Sequence, residues 1–231
     1  GVYCSKASVT VDGGTITLNS GNQGGGIAVD DGGSVTINGG DIDGNTGTNQ
    51  GGGIWVYEEG SQVTVNGGNI INNKTGKTGG GIYVDAAEAL VQKGASSAAP
   101  RIRNNTAAKG GGVYVAGGGD LKVTDGFIIE NFAKGMPESL KTALNQNYYL
   151  RGVGGGIYVA DGVSDSNPST FTLEGSNIAI YSNLADFGAD DVFANANYTK
   201  LNVPTVDNMN LAGYGHPAAG WFEDYPISDT N

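Results

Sequence analysis

Short apolar–polar–apolar triplets alternate with glycine-rich stretches along this chain, and one form of triplet recurs almost unchanged. It reads GGGIAV at 24–29, GGGIWV at 51–56, GGGIYV at 79–84, GGGVYV at 110–115 and GGGIYV at 154–159. A truncated copy lies at 2–4 and a divergent one at 188–194. Alternation with a period of two residues predicts short β-strands with both apolar side chains on one face.

Two further apolar signals follow each copy of this triplet. A second triplet lies at 9–11, 35–37, 63–65, 121–123 and 171–173, and glycine pairs follow the first three. An isoleucine then precedes an asparagine by three residues, at Ile16/Asn19, Ile42/Asn45, Ile70/Asn73, Ile102/Asn105, Ile128/Asn131 and Ile180/Asn183. Each repeat is therefore predicted to form three short strands joined by corners.

The spacing of the repeats indicates how these strands bury their apolar faces. The first apolar residue of the triplet recurs at Val2, Ile27, Ile54, Ile82, Val113, Ile157 and Val192. Strands this short cannot form a core alone. Stacked coils can bury their apolar side chains when each strand pairs in parallel with its copy in the next coil, about 4.8 Å away. The sequence predicts an all-β fold, a right-handed single-stranded parallel β-helix (solenoid) with three short strands per coil.

The regularity of the repeat defines the expected domains. We predict β-helix repeats over 1–194, with insertions at 85–100 and 133–153, and a cap or a junction to a following domain over 195–231. Pro137 opens a stretch of the second insertion, up to Leu144, that is typical of one short helix. Since the chain begins inside a strand triplet, we expect it to be a piece of a longer protein.

Composition and charge limit the partners that we expect. The 231 residues include 42 glycines and carry a formal net charge of −11, which disfavours nucleic acid and anionic membrane surfaces. No apolar run approaches the ~20 residues that span a bilayer, so no membrane insertion of this fragment is expected. The single cysteine, Cys4, matches inward valines of later repeats, which predicts a small buried residue rather than a reactive thiol.

The central residue of the GGG-type triplet is the main candidate for ligand binding. Six of the seven such residues are aromatic, and alternation places them on the outer face: Tyr3, Trp55, Tyr83, Tyr114, Tyr158 and Phe193, with Ala28 as the exception. We call this row the aromatic stripe. Rungs about 4.8 Å apart could hold sugar rings or an extended peptide. Alternatively, the rings only stabilise the sheet, or the insertions cover them.

Carboxylates border the aromatic stripe, at Asp30, Asp31, Glu58, Glu59, Asp85, Asp161, Asp190 and Asp191. Solvated turns favour such residues, and paired acids also serve glycoside hydrolases or hold calcium. We predict no cofactor, with calcium as the one ion these oxygens could hold. If the protein were a polysaccharide lyase, Arg103 or Lys109 near Asp85 would be the candidate catalytic residues. Otherwise Arg103 faces solvent and pairs with Glu130.

The repeats resemble those of known bacterial surface proteins. GGGI or GGGV alternating with Ile-x-x-Asn is similar to the GGA[I/L/V] and FxxN repeats of chlamydial polymorphic outer-membrane proteins. It equally resembles repeats in cell-wall proteins of gut bacteria from the pectate-lyase-like superfamily, over residues 1–194. The resemblance implies a secreted or cell-surface, adhesin-like protein without a catalytic motif to transfer.

Three functions remain open from the sequence. The first is an extracellular, non-catalytic adhesin-like or glycan-binding domain, with host or environmental glycans or a host surface protein as partner. The second is a carbohydrate-active enzyme, a polysaccharide lyase or glycoside hydrolase, of the same fold. The third is a rigid structural spacer. We expect the asparagines after the third strand and the triple glycines to be structural.

Overall fold

The computed structural model describes residues 1–135, 152–186, 191–194 and 199–202. Over these ranges the chain is, as predicted, a right-handed parallel β-solenoid of three sheets, and these ranges contain no helix. None of the described elements is a helix long and apolar enough to cross a membrane. The predicted helix near 137–144 and most of the predicted cap lie outside the described residues.

Sheet A contains the GGG-type triplets, one from each coil, and every strand pairs in parallel with the next. Pairing joins Val2 to Ile27 and Ile27 to Ile54, which confirms the repeat register read from the sequence. With strands numbered in chain order, the sheet consists of β1 (Val2–Ser5), β5 (Ile27–Asp30), β9 (Ile54–Tyr57), β13 (Ile82–Asp85), β17 (Val113–Ala116), β20 (Ile157–Val159) and β23 (Val192–Ala194).

Sheet B contains both of the other predicted strands of each coil. Its first row consists of β2 (Ser8–Val11), β6 (Ser34–Ile37), β10 (Gln62–Val65), β14 (Glu88–Val91) and β24 (Thr199–Asn202). Its second row consists of β3 (Thr15–Thr17), β7 (Asp41–Asp43), β11 (Asn69–Ile71) and β15 (Arg101–Arg103). The long strands β18 (Asp120–Ile129) and β21 (Ser169–Tyr181) run through both rows. The glycine turn between the rows therefore does not start a new wall of the solenoid.

Sheet C forms the third wall from residues that follow the asparagines. It consists of β4 (Ser20–Gln23), β8 (Thr46–Gln50), β12 (Lys74–Thr75), β16 (Thr106–Ala107), β19 (Phe132–Ala133) and β22 (Leu184–Ala185). Its buried positions hold small residues such as Gly47, Ala107 and Ala133. The three predicted strands of each coil are present in sheets A and B, and sheet C adds a further strand that the sequence did not indicate, because this strand has no large apolar side chain.

The core repeats from coil to coil between sheets A and B. In the second coil it consists of Ile27 and Val29 from sheet A with Val35, Ile37 and Ile42 from sheet B, none more than 1% exposed. Burial of each such side chain contributes about 1.5–3 kcal/mol. Cys4 is 1% exposed in the same core, which confirms it as a small buried residue.

The three glycines before each sheet A strand are structural, for two different reasons. Gly24 and its equivalents have a positive φ, which favours glycine. The second and third glycines do not, but a Cβ at Gly52 would lie closer than 3.0 Å to backbone atoms of Lys74 and Gly80. The corner conformation expected for all three holds only for the first, and close backbone packing requires the others.

The asparagine predicted to be structural forms a buried ladder through the solenoid. Asn105 donates from Nδ2 to Asn131 Oδ1 at 3.0 Å and to the Ile70 carbonyl at 2.8 Å. The same pattern links Asn19, Asn45, Asn73, Asn105, Asn131 and Asn183. The ladder ends where Asn183 donates to Asp191 Oδ1 at 2.9 Å. These hydrogen bonds satisfy side-chain amides at the corner between sheets B and C, which would otherwise be buried without partners.

The described parts of the insertions leave the coils in register. In the first, Ser97 donates to the Asn38 carbonyl at 2.8 Å, which fastens the loop to an earlier coil. A register shift after Val123 absorbs two extra residues in β21, between Leu173 and Asn177. β24 pairs with β21 and so continues sheet B beyond residue 194, where the repeats were predicted to end.

Candidate functional site

The aromatic stripe lies in one file on the outer face of sheet A. Strand pairing places the six predicted residues and Ala28 side by side, in the order Tyr3, Ala28, Trp55, Tyr83, Tyr114, Tyr158 and Phe193. Each lies between two inward residues, as Tyr83 does between Ile82 and Val84, both 0% exposed. The parallel register therefore collects aromatic rings that are up to 190 residues apart in sequence.

Four of the rings form a continuous stack along the solenoid axis. Ring centroids are 5.5 Å apart for Tyr83 and Tyr114, 5.0 Å for Tyr114 and Tyr158, and 4.9 Å for Tyr158 and Phe193. The interplanar angles in this stack are 6°, 4° and 23°. Each pair adds about 0.5–1.5 kcal/mol to the stability of the sheet. A ring between two others has no free face on which a sugar could stack.

The stripe is less exposed than the sequence predicts. Trp55, Tyr83 and Tyr158 are only 6%, 4% and 5% exposed, so the expectation of an exposed ring is wrong at these positions. Tyr114 and Phe193 are half-buried, and Tyr3 is 67% exposed. Alternation placed the side chains on the outer face correctly, but stacking between rungs covers the ring faces.

The N-terminal end of the stripe has a different arrangement. Trp55 stacks on Tyr57, two residues further along β9, with ring centroids 5.2 Å apart at 20°. Tyr57 is 37% exposed and shares the outer face of sheet A. The sequence reading missed Tyr57, because the equivalent position holds Asp30 or Asp85 in neighbouring coils. The i, i+2 spacing from Trp55 was the available signal.

Carboxylates at the end of the sheet A strands hold two of the tyrosine hydroxyls. Tyr3 donates to Asp30 Oδ2 at 2.9 Å, and this hydrogen bond raises the pKa of Tyr3. Tyr83 donates to Asp85 Oδ2 at 2.7 Å. Burial is the main cause that raises the pKa of Tyr83, and the hydrogen bond to Asp85 raises it further. Burial also raises the pKa of Tyr114. These phenols are therefore neutral at physiological pH and available only for hydrogen bonding.

Lys109 lies beside the stacked rings. Its Nζ is 5.1 Å from the ring centroid of Tyr158, within range of a cation–π interaction. Partial burial lowers the pKa of Lys109. The contact explains how a half-buried ammonium is accommodated at the margin of an aromatic column.

The three candidate residues for a lyase are not brought together. Arg103 belongs to β15 in sheet B, where its Nη1 is 3.9 Å from Glu130 Oε2, the pairing that the alternative reading expected. Asp85 ends β13 in sheet A and pairs with Ala116, seven residues after Lys109. Lys109 therefore lies at the opposite end of the sheet A strands from Asp85, and Arg103 lies on another wall.

In the described part of the chain the acidic border consists of residues that end the sheet A strands, such as Asp30 and Asp85, and residues that follow them, such as Asp31 and Glu58; Asp190 lies outside that part. Asp31 Oδ2 forms an ion pair with Lys6 Nζ at a distance of 2.8 Å, and both side chains are exposed. Among the described residues, no group of three or more acidic, histidine or cysteine side chains is placed to hold a metal ion.

Comparison with known proteins agrees with this architecture. Residues 1–125, more than half of the chain, match the family described as the right-handed beta helix region. The chain has no significant match among curated proteins or solved structures. From the family match, together with the stacked parallel coils of the structure, we conclude that the chain belongs to the right-handed β-helix family.

Proposed function

We propose that the chain is a non-catalytic, adhesin-like module of a secreted or cell-surface bacterial protein, and that it binds glycans on the outer face of sheet A. One observation carries the proposal. Tyr3, Trp55 and Tyr57 lie within two rungs of one another at the N-terminal end of the stripe, and two of these three rings are exposed. Tyrosine and tryptophan combine a rigid apolar surface with one polar atom, which suits the mixed surface of a sugar.

The other stripe residues have a supporting role in this proposal. Tyr83, Tyr114, Tyr158 and Phe193 use their ring faces in the stack, so they support the sheet rather than offer stacking surfaces to a ligand. They keep the outer face of sheet A flat and rigid. A preformed surface of this kind reduces the entropy lost when an extended ligand binds.

The charge near Tyr3 and Tyr57 favours an uncharged ligand. Asp30 ends β5, Asp31 follows it and Glu58 follows β9, in a chain with a net charge of −11. Repulsion disfavours sulfated or uronate-rich polymers at this surface. Carboxylates do accept hydrogen bonds from neutral sugar hydroxyls. Neutral glycans are therefore the ligand class that we propose.

The two alternative functions have less support. A polysaccharide lyase or glycoside hydrolase needs an assembled catalytic set, whereas Arg103, Lys109 and Asp85 lie at three separate places. A rigid spacer agrees with the buried asparagine ladder, but it gives no role to the exposed tyrosines at one end of the stripe. A spacer is the function that a negative binding result would favour.

A glycan-array screen of the whole chain, with and without calcium, tests the proposal. Tyr57→Ser removes an exposed ring from sheet A, and Tyr181→Ser removes one of similar exposure, 39% against 37%, from sheet B. We expect saturable binding to neutral glycans that Tyr57→Ser weakens roughly tenfold and Tyr181→Ser leaves unchanged. Glycan binding of unchanged affinity in Tyr57→Ser, or no glycan binding at all, would contradict the proposal.

A further inference from the structure

The file of aromatic residues has one missing ring, at Ala28 between Tyr3 and Trp55. At about 4.8 Å per rung, Tyr3 and Trp55 are two rungs and about 9.6 Å apart along the axis. Stacked rings elsewhere in the file are separated by 4.9–5.5 Å. One ring placed over Ala28 would therefore be about as far from each neighbour as the protein's own rings are from each other.

This notch is defined by Tyr3, Ala28, Asp30 and Trp55, and it is exposed on the side of Tyr3 and Ala28. Ala28 is partly exposed, and Tyr3, at 67% exposure, makes no ring-stacking contact within the described part of the chain. The indole of Trp55 rests on Tyr57 instead of on Tyr83. The aromatic stack therefore stops short of the notch, and no described ring fills it.

Two polar atoms of the residues that define the notch have no hydrogen-bond partner within the described part of the chain. Trp55 is 6% exposed, and its Nε1 is a buried donor without a hydrogen bond. Asp30 accepts from Tyr3 at Oδ2, while its Oδ1 is buried without a partner. Asp30 lies two residues after Ala28 on the same face, and Trp55 is the pairing partner of Ala28. Unpaired buried polar atoms are rare in native proteins, and a bound ligand is one explanation for them.

We propose that the notch over Ala28 binds a single pyranose ring of a neutral glycan, in place of the missing aromatic ring. This inference rests on the proposed function and names its central subsite. A pyranose offers an apolar face to Tyr3 and hydroxyl groups that both accept and donate hydrogen bonds. The indole N–H needs an acceptor and the free carboxylate oxygen needs a donor. A phenylalanine or tryptophan side chain satisfies at most one of them, and a tyrosine has a single hydroxyl for both, whereas a pyranose carries several hydroxyl groups, so the pair of atoms favours a sugar.

The fluorescence of Trp55 gives a direct test in the whole chain. Trp221→Phe leaves Trp55 as the only tryptophan, because the sequence contains two. The probes are soluble hexaoses of glucose, mannose, galactose and N-acetylglucosamine, and N-acetyl-tyrosine amide represents a peptide side chain. We expect at least one hexaose, but not the tyrosine amide, to change Trp55 emission saturably.

Filling the notch separates this inference from the proposed function. Ala28→Tyr places tyrosine at a rung whose neighbours already carry aromatic residues, so the fold should tolerate it. We expect the affinity for that hexaose to fall at least about tenfold, with Ala160→Tyr, at the residue directly after β20, as an unchanged control. Asp30→Asn should weaken binding without lowering the melting temperature, since the position is at the end of a strand.

The outcomes divide as follows. If glycans bind but Ala28→Tyr binds as tightly as the parent chain, the notch is refuted and the proposed function stands. Binding of the tyrosine amide alone would refute a sugar subsite in favour of a peptide site. If neither an array glycan nor a hexaose binds, both proposals fail.

Discussion

At the scale of single residues, Gly44 and Gly52 are constrained in different ways. Gly44 has a φ of 65°, but a Cβ there would make only ordinary contacts, with Leu18 Cδ2 at 3.4 Å and Thr17 Oγ1 at 3.9 Å. Gly52 has an ordinary φ, yet a Cβ would overlap backbone atoms of the next coil. Conformation is the constraint at the first position, and space is the constraint at the second.

Alanine substitutions should separate these two constraints. Gly44→Ala forces a side chain into the left-handed region and should lower the free energy of unfolding by about 1–2 kcal/mol. Gly52→Ala must push two coils apart and should cost roughly 3 kcal/mol or more. Denaturant unfolding of the two variants measures the difference. Equal costs would show that the close approach at Gly52 is easily relieved.

The asparagine ladder supports a second residue-scale prediction. The side chain of Asn105 takes part in four hydrogen bonds, to Ile70, to Asn131 and twice from Asn73. Asn105→Ala leaves these buried partners unsatisfied and should cost at least about 3 kcal/mol. Asn105→Asp should also be destabilising, because a carboxylate cannot donate to Ile70 or Asn131.

A matched control for Asn105 is available on the surface. Asn177 is exposed and makes one long hydrogen bond, 3.4 Å, to Asp125. Asn177→Ala should change the free energy of unfolding by no more than about 0.5 kcal/mol. If thermal or denaturant unfolding gave similar values for Asn105→Ala and Asn177→Ala, the ladder would not be a main source of stability.

At the scale of strands and sheets, the sequence predicted sheets A and B better than sheet C. The inward side chains of sheets A and B are large and alternate with polar residues, as Ile27 and Val29 do around Ala28, so the period of two is visible. In sheet C, Gly47 and Ala107 fill the inward positions, and such strands look like loops. The burial of the aromatic stripe could not be predicted from the sequence either. Alternation shows on which face of the sheet the Trp55 side chain lies, but not which residues pack against it.

The stacked tyrosines should make sheet A lose stability at alkaline pH. Burial raises the pKa of Tyr114 above its usual value of about 10. Below pH 10 the phenol is neutral in both states and the stabilisation is complete. Above it the unfolded chain ionises first, so stability is lost as pH rises.

A phenylalanine at this position should remove part of that pH dependence. Tyr114→Phe keeps the ring between Tyr83 and Tyr158, and it should melt at a temperature that falls less between pH 9 and pH 11. The exposed Tyr57→Phe serves as control and should behave like the parent chain. An identical alkaline decline in Tyr114→Phe and the parent would contradict the buried, neutral phenol.

At the scale of the whole molecule, two amide ladders run in opposite directions along the solenoid. The inner ladder, through Asn105, donates toward the C-terminal coils and ends on Asp191. An outer ladder at the glycine turns runs from Gln92 through Asn66 and Asn38 to Asp12, with bonds of 2.7–2.9 Å. Each ladder ends on a carboxylate, which can only accept. The result is a rigid scaffold that keeps sheet A in register.

The fold could be predicted from the sequence because repetition sets the register of every rung. The candidate site could be predicted only in part, because its distinguishing features are departures from the repeat. Ala28 breaks the aromatic file, and Tyr57 replaces the carboxylate found at Asp30 and Asp85. In the sequence such departures cannot be told from ordinary variation between repeats, because their effect on ring stacking and burial is visible only in the structure.

Hydroxyl-radical footprinting of the whole chain, with and without the tightest-binding glycan from the array, tests the central claim most directly. Tyr3 and Tyr57 report on sheet A, and the similarly exposed Tyr181 and Leu184 report on sheets B and C. We expect the glycan to protect Tyr3 and Tyr57 from oxidation and to leave Tyr181 and Leu184 as reactive as in the free chain. Protection of Tyr181 and Leu184 instead would place binding on another wall and contradict the account.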